Sequence, residues 1–238
     1  MELADITDDD VELVLKCGGK TVKDVDDNEY NIILLGNQCW MKENMRAKHF
    51  ADGTDIEYNA AVPCDWPRYY YPNNDASLVN TYGLLYNWYA AVNVSHTASP
   101  SGTRVQGVCP TGWHVPSMQE FYPQLSYYLT NLYGENHAKA MASTSGWTNT
   151  GTYECPGYNQ ATTNNASGFT AYPAGYYSGS STVDMLGQAA FFWSSTQWSD
   201  NPTLEAQYIY LHYNVAAVAE KNIHNQKIYG FSVRCIKD

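Results

Sequence analysis

Positive charge is scarce in this chain: 13 Lys and Arg stand against 24 Asp and Glu, a formal net charge of -11 over 238 residues. Proteins grip a phosphate backbone with cations that displace its counterions, so this balance argues against nucleic acid and an anionic membrane surface as partners. Long apolar runs are missing as well. Ile32 to Leu35 is strand-sized, and nothing approaches the roughly 20 apolar residues that cross a bilayer, so membrane insertion is not expected. Met1 to Asp10 is acidic and lacks a basic stretch followed by an apolar one. No signal peptide is read there, so either export uses something outside this stretch or release takes another route. Cys-x-x-Cys, His-Glu-x-x-His and Gly-x-Ser-x-Gly are all absent, so zinc-ribbon, thioredoxin-like, zincin and serine-hydrolase chemistries have no support.

What the chain does have is apolar and aromatic mass. Hydrophobic residues make up 44% and aromatics 14%, enough to offset ordering entropy by burial in one or two domains. Tyr at 21 and Asn at 20 are abundant, and this amphipathic, adaptable palette suits contact surfaces. The cysteines, Cys17, Cys39, Cys64, Cys109, Cys155 and Cys235, are even in number but widely spaced. They allow one or two bridges rather than a dense disulfide scaffold.

Residues 1 to 21 read as a separate tail or leading strand, with an alternating run at Val11, Leu13 and Leu15 closed by Gly18-Gly19. Residues 22 to 238 read as one domain. Tyr30 to Leu35, Gly36-Asn37 and Cys39 to Met41 have a hairpin signature. Residues 52 to 80 look like a long irregular surface segment, rich in Pro, Asn, Asp and Tyr. A helix is expected at Leu84 to Val92, where Leu84, Leu85, Trp88 and Ala91 share a face. A second is expected from Ser117, where Ser117-x-x-Glu120 offers a capping box. Its apolar stripe would be Phe121, Leu125, Tyr128, Leu129 and Leu132, with Pro123 shifting or kinking the start. Residues 146 to 187 are Gly-, Asn-, Ser- and Thr-rich loops and short strands. The expected class is therefore α+β: two helices, several short antiparallel strands and many loops.

Phe191 to Thr196 and Gly230 to Cys235 are expected to be paired core strands. Between them lie Trp198, Asp200, Asn201, Tyr208, Tyr210, His212, Asn214, Asn222, His224 and Asn225, a palette like that of an antibody paratope. Tyr208, Tyr210, His212 and Asn214 share one strand face by the period of two and would project outward together, with Leu211 and Val218 facing the core.

Six ordered blocks carry a resemblance. They are Asn37 to Arg46, Tyr82 to Ala90, Cys109 to Pro116, Ser167-Gly168-Phe169, Trp193 to Thr196 and Gly230 to Cys235. Over about residues 22 to 238 the chain resembles the Fibrobacter succinogenes major paralogous domain family. That resemblance implies a variant of the C-type lectin-like fold, shared with formylglycine-generating enzymes and with variable proteins of diversity-generating retroelements. Residues 197 to 229 look like the sampled segment of such a variable protein, held between constant strands. The fold analogy permits Cys109 and Cys235 to lie near each other, where they could bridge in an oxidising setting; the pairing of the cysteines stays open.

These readings define the expected function: a non-enzymatic protein whose diversified C-terminal surface attaches to a cell-surface protein or glycan, placed on a virion or at a cell surface. The alternative is a secreted or surface adhesin of a gut bacterium with a fixed site. A near-repeat of the coding 3′ end, differing where the template has adenine, would mark the first. An oxidase of the formylglycine-generating kind would need two neighbouring free cysteines, and Cys235 has none near it in sequence. No cofactor or metal is expected: His49, His96, His114, His137, His212 and His224 are scattered, and His114 reads as a hydrogen-bonded core or turn histidine. The calcium triplets of vertebrate lectins are missing, and Asp200-Asn201-Pro202 alone is weak. The sequence leaves oligomeric state open.

Overall fold

A computed structural model describes residues 8–58, 65–95, 98–100, 102–178 and 183–238. Cys64, His96 and most of the run Ser178 to Ser181 lie outside the described residues. Helix α1 (Asp8–Cys17) precedes β1 (Thr21–Lys23), β2 (Glu29–Leu35) and β3 (Gln38–Met41). The alternation at Val11, Leu13 and Leu15 is thus helical rather than the expected strand. A Glu12–Lys16 pair at 2.8 Å supports it at the favourable i,i+4 spacing, and a Cys17–Cys39 disulfide ties it to the sheet. The hairpin forms as expected, with Leu35 opposite Gln38 and Gly36 at φ 63, a left-handed turn conformation that glycine takes without steric cost.

The segment expected to be irregular contributes β4 (Glu57–Tyr58), β5 (Arg68–Tyr70) and α2 (Val79–Tyr82). Tyr69 and Tyr70 are buried, so this stretch is partly sheet, not wholly surface. The expected helix at Leu84 begins late: β6 (Leu85–Asn87) leads into α3 (Trp88–Val92). Asn87 is the reason, because its side chain accepts from the Ala90 N–H and so sets the N-cap after Leu84 and Leu85 have entered the sheet.

After β7 (Trp113–His114), the capping box is present: Ser117 N donates to Glu120 Oε2 at 2.7 Å and Glu120 N to Ser117 Oγ at 3.3 Å. Pro123 interrupts the helix, with Tyr122 extended before it, the conformation that a following proline favours. Regular helix α4 spans Ser126–Tyr133. Phe121, Leu125 and Leu129 are buried, whereas Leu132 is exposed, so the apolar stripe ends a turn early. Then follow α5 (Ala138–Met141), α6 (Gln160–Thr163), β8 (Tyr176–Tyr177), β9 (Val183–Asp184), β10 (Ala189–Gln197), β11 (Glu205–His212), β12 (His224–Gln226), β13 (Gly230–Phe231) and β14 (Ile236–Lys237).

The class is α+β. One sheet runs β1-β2-β3-β14-β7, a second β4-β5-β6-β13-β8-β9 and a third β10-β11-β12. The expected pairing of Phe191 to Thr196 with Gly230 to Cys235 is a short parallel bridge, Phe192 opposite Ser232. The long partner of β10 is β11. Arg234, fully buried, crosses this junction, and a second disulfide joins Cys109 to Cys235. Cys155 is free and buried.

His114 sits buried at the edge of the first sheet, with Nε2 2.9 Å from Glu120 Oε1 and Nδ1 2.8 Å from Asp238 Oδ1. Burial pulls its pKa down, but hydrogen bonds and charge from Glu120 and Asp238 outweigh this and leave it raised. A raised folded-state pKa gives stability that is fully present below the unfolded value of about 6.5 and lost as pH climbs through the folded value. His114→Gln should therefore flatten the fall in melting temperature as pH rises above the unfolded value of about 6.5. An unchanged profile would show that His114 is not its source.

Candidate functional site

Strands β11 and β12 of the third sheet lie within the segment 197–229. Along β11 the period of two sends Ala206, Tyr208, Tyr210 and His212 to one face and Gln207, Ile209 and Leu211 to the other. Ile209 and Leu211 pack with Ala190 and Phe192 in the core, and Val218 joins them. On the first face Tyr208 is opposite Trp193 and Tyr210 opposite Phe191. Phe231 of β13 packs 5.0 Å from Phe191 and 4.8 Å from Tyr208. Tyr176 of β8 lies 5.3 Å from Phe191 and stacks on Tyr229 at 6.0 Å.

These rings line an open groove of about 560 Å³ that also takes in His212, Asn214, Asn225, Val215 and Met185. No Asp, Glu, Lys or Arg is among its lining residues, although the chain as a whole is strongly acidic. The hydroxyls of Tyr176, Tyr208, Tyr210 and Tyr229 make no hydrogen bond to another described residue. Burial, followed by the neighbouring phenols of Tyr210, Tyr176 and Tyr229, pushes the Tyr208 pKa up to about 12. Burial, then Asp184 and Tyr229, raises that of Tyr176. Both therefore remain neutral donors at physiological pH. His212 Nδ1 is 2.5 Å from Asn214 Oδ1, which orients the imidazole at the edge of the groove.

The expected site divides in two. Tyr208, Tyr210, His212, Asn214 and Asn225 share the groove. Tyr208 does not project outward, however: only 9% of it is exposed, because Trp193 and Phe231 close over its ring. Trp198 and His224 belong to the opposite face, since His224 is in register with Gln207, an odd position of β11. There the Trp198 and His224 rings stack at 4.1 Å and 13°, and Glu205 Oε2 is 3.1 Å from His224 Nδ1. Asp200 and Asn201 lie in the turn after Trp198, where Asn201 N donates to the Trp198 carbonyl. Asn222 occupies an exposed left-handed position at φ 53. None of these last three lines the groove.

Tyr176, Tyr229, Phe191 and Phe231 complete the groove and were not among the expected site residues. Tyr176 arrives through the pairing of Gly230 with Tyr177, a contact with no local sequence signature. The Tyr176-Tyr177 doublet in a loop-rich region was its only mark.

The groove is thus aromatic, free of formal charge and framed by the last strands of an α+β domain. The chain belongs to the Fibrobacter succinogenes major domain family, whose pattern matches residues 33–237. No curated protein and no solved structure matches the chain.

Proposed function

We propose that this protein is a non-enzymatic recognition domain of C-type lectin-like type, and that the tyrosine-lined groove holds its target. The observation that carries this reading is the groove itself: four phenols, with hydroxyls bonded to no other described residue, around a floor of Phe191 and Phe231. Rings give stacking area at low entropy cost, and unpaired hydroxyls supply directional hydrogen bonds. A groove with no formal charge suits a neutral amphipathic ligand, so a neutral glycan of a cell surface is the favoured target, with a surface protein as the alternative. Proton-transfer chemistry has little to work with there, because the titratable groups are phenols and one imidazole tied to Asn214. Cys235 is bonded to Cys109, which speaks against the paired free thiols of a formylglycine-generating oxidase.

The Cys17–Cys39 and Cys109–Cys235 disulfides favour folding in an oxidising compartment. That observation supports the adhesin form, at a cell surface or secreted, over a virion protein assembled in a reducing cytosol. Diversification of residues 197 to 229 is compatible with either form: β11 and β12 supply groove residues, while Ala206, Ile209, Leu211 and Lys227 stay buried and would have to be constant.

The test is binding to a neutral-glycan array and to intact gut bacteria, comparing the native chain with a Tyr210→Ala/Tyr229→Ala variant that still melts cooperatively. Loss of two aromatic anchors should weaken binding by at least about tenfold. Trp198→Ala, on the other face, should leave it unchanged. Equal binding by the groove variant, or loss only with Trp198→Ala, would overturn the assignment.

A further inference from the structure

A second depression, of about 470 Å³, lies between α4, the turn before α5 and residues 217–223, and shares no lining residue with the tyrosine groove. Its notable member is His137, 3% exposed, with Nε2 buried and without a hydrogen-bond partner. Thr130 Oγ1 is 3.5 Å from Nδ1, which leaves Nε2 as the ring atom available to the depression. Glu220 faces it: Oε1 accepts from Ser126 Oγ at 2.6 Å, and Oε2 is 3.9 Å from His137 Nε2. The Lys221 ammonium sits 4.8 Å over the Tyr122 ring and acts on Glu220 through its charge, without an ion-pair contact.

A neutral His137 that carries its proton on Nδ1 presents a lone pair at Nε2, so the depression offers two convergent acceptors and no donor between them. Burial lowers the His137 pKa, outweighing the Gly134 and Glu135 main chain, and burial raises that of Glu220 despite Ser126 and Lys221. Both directions come first from burial, which disfavours the charged form of each group. A hydroxyl carries one hydrogen and satisfies one acceptor. An ammonium carries three and bridges both while supplying the missing charge. A dication would need more ligands, and no group of three His, Cys, Asp or Glu stands together among the described residues.

We infer that this depression binds a primary ammonium group, which donates to His137 Nε2 and Glu220 Oε2. The ammonium of an amino sugar and that of an aliphatic amine share this chemistry. Titration of nitrogen-labelled protein with D-glucosamine and, separately, with putrescine, read at the His137 ring nitrogens, tests it. N-acetyl-D-glucosamine, which lacks the charge, is the control. A saturable shift of Nε2 with either amine and none with the acetylated sugar is expected, and which amine binds names the source. Glu220→Gln retains an acceptor for Ser126 and should weaken binding about tenfold or more. His137→Gln should do the same, followed by backbone resonances of residues 217–223. No saturable shift with either amine, an equal shift with N-acetyl-D-glucosamine, or unchanged affinity in both variants would overturn the site and mark a water as the bridge.

Discussion

Arg234→Met should lower the unfolding free energy by about 4 kcal/mol, the scale seen when a buried charge network loses its centre. The guanidinium is fully buried. It donates to Asn44 Oδ1 at 2.7 and 3.2 Å, to the Met41 carbonyl at 3.2 Å and to the carbonyls of Phe169 and Thr170. The rings of Phe169 and Phe192 lie 4.5 and 5.4 Å from its carbon. No carboxylate is among these hydrogen-bond acceptors. Burial lowers its pKa to about 9, with Glu43 opposing, so the acceptors around it hold a cation against desolvation. Methionine fills much of the volume but leaves several buried oxygens without a donor, each costing about 1–3 kcal/mol. Lysine cannot reproduce the planar fork and should recover only part of the loss. A urea midpoint shift equivalent to under about 1 kcal/mol would mean that water replaces the guanidinium without penalty.

Cys109→Ser/Cys235→Ser should have an effect of similar size for a different reason. The bridge spans a sequence separation of 126, and in the loop-closure account a constraint of that length removes roughly 5 kcal/mol of unfolded-state freedom. For a chain of this length that corresponds to a melting point lower by roughly 10–20 °C. The Cys17–Cys39 loop, with a separation of 22, is shorter and should matter less. The native chain in reducing buffer should follow the double variant. If it melts as in oxidising buffer, the two bridges do not hold the native state, and the argument for an oxidising compartment goes with them.

Local patterning made part of this legible. Gly36-Asn37 between two apolar runs gave the hairpin, and the Ser117/Glu120 capping box appears in atomic detail. The period of two along β11 correctly grouped Tyr208, Tyr210 and His212. Depth was not legible: Tyr208 is covered by Trp193 and Phe231, and no property of residues 205–212 announces that a distant strand will close over it. The face of His224 was not legible either, because it depends on the β11–β12 register, itself set by a long and irregular connection. The α3 start was readable in principle, since Asn87 is a good N-cap, but the apolar stripe beginning at Leu84 outweighed it. Val11, Leu13 and Leu15 fit alternation, yet Glu12 and Lys16 at i,i+4 spacing carried the helical signal.

Lys227 shows how the end of the C-terminal segment is held. Its ammonium is buried 4.2 Å over the Trp88 ring and donates to the Pro202 carbonyl at 2.6 Å, with burial lowering its pKa to about 8. Trp88 N in turn donates to the Lys227 carbonyl at 2.8 Å. The end of β12 and the β10–β11 turn are thereby pinned to α3, so this part of the frame is held by residues outside the groove.

Recognition through the tyrosine groove would leave its mark in hydrogen–deuterium exchange of the protein with and without a ligand taken from the glycan or cell screen. New protection is expected to be confined to Tyr176–Tyr177, residues 205–214 and residues 224–231. Protection over β4 and β5, or around Trp198 without the groove, would overturn the proposal.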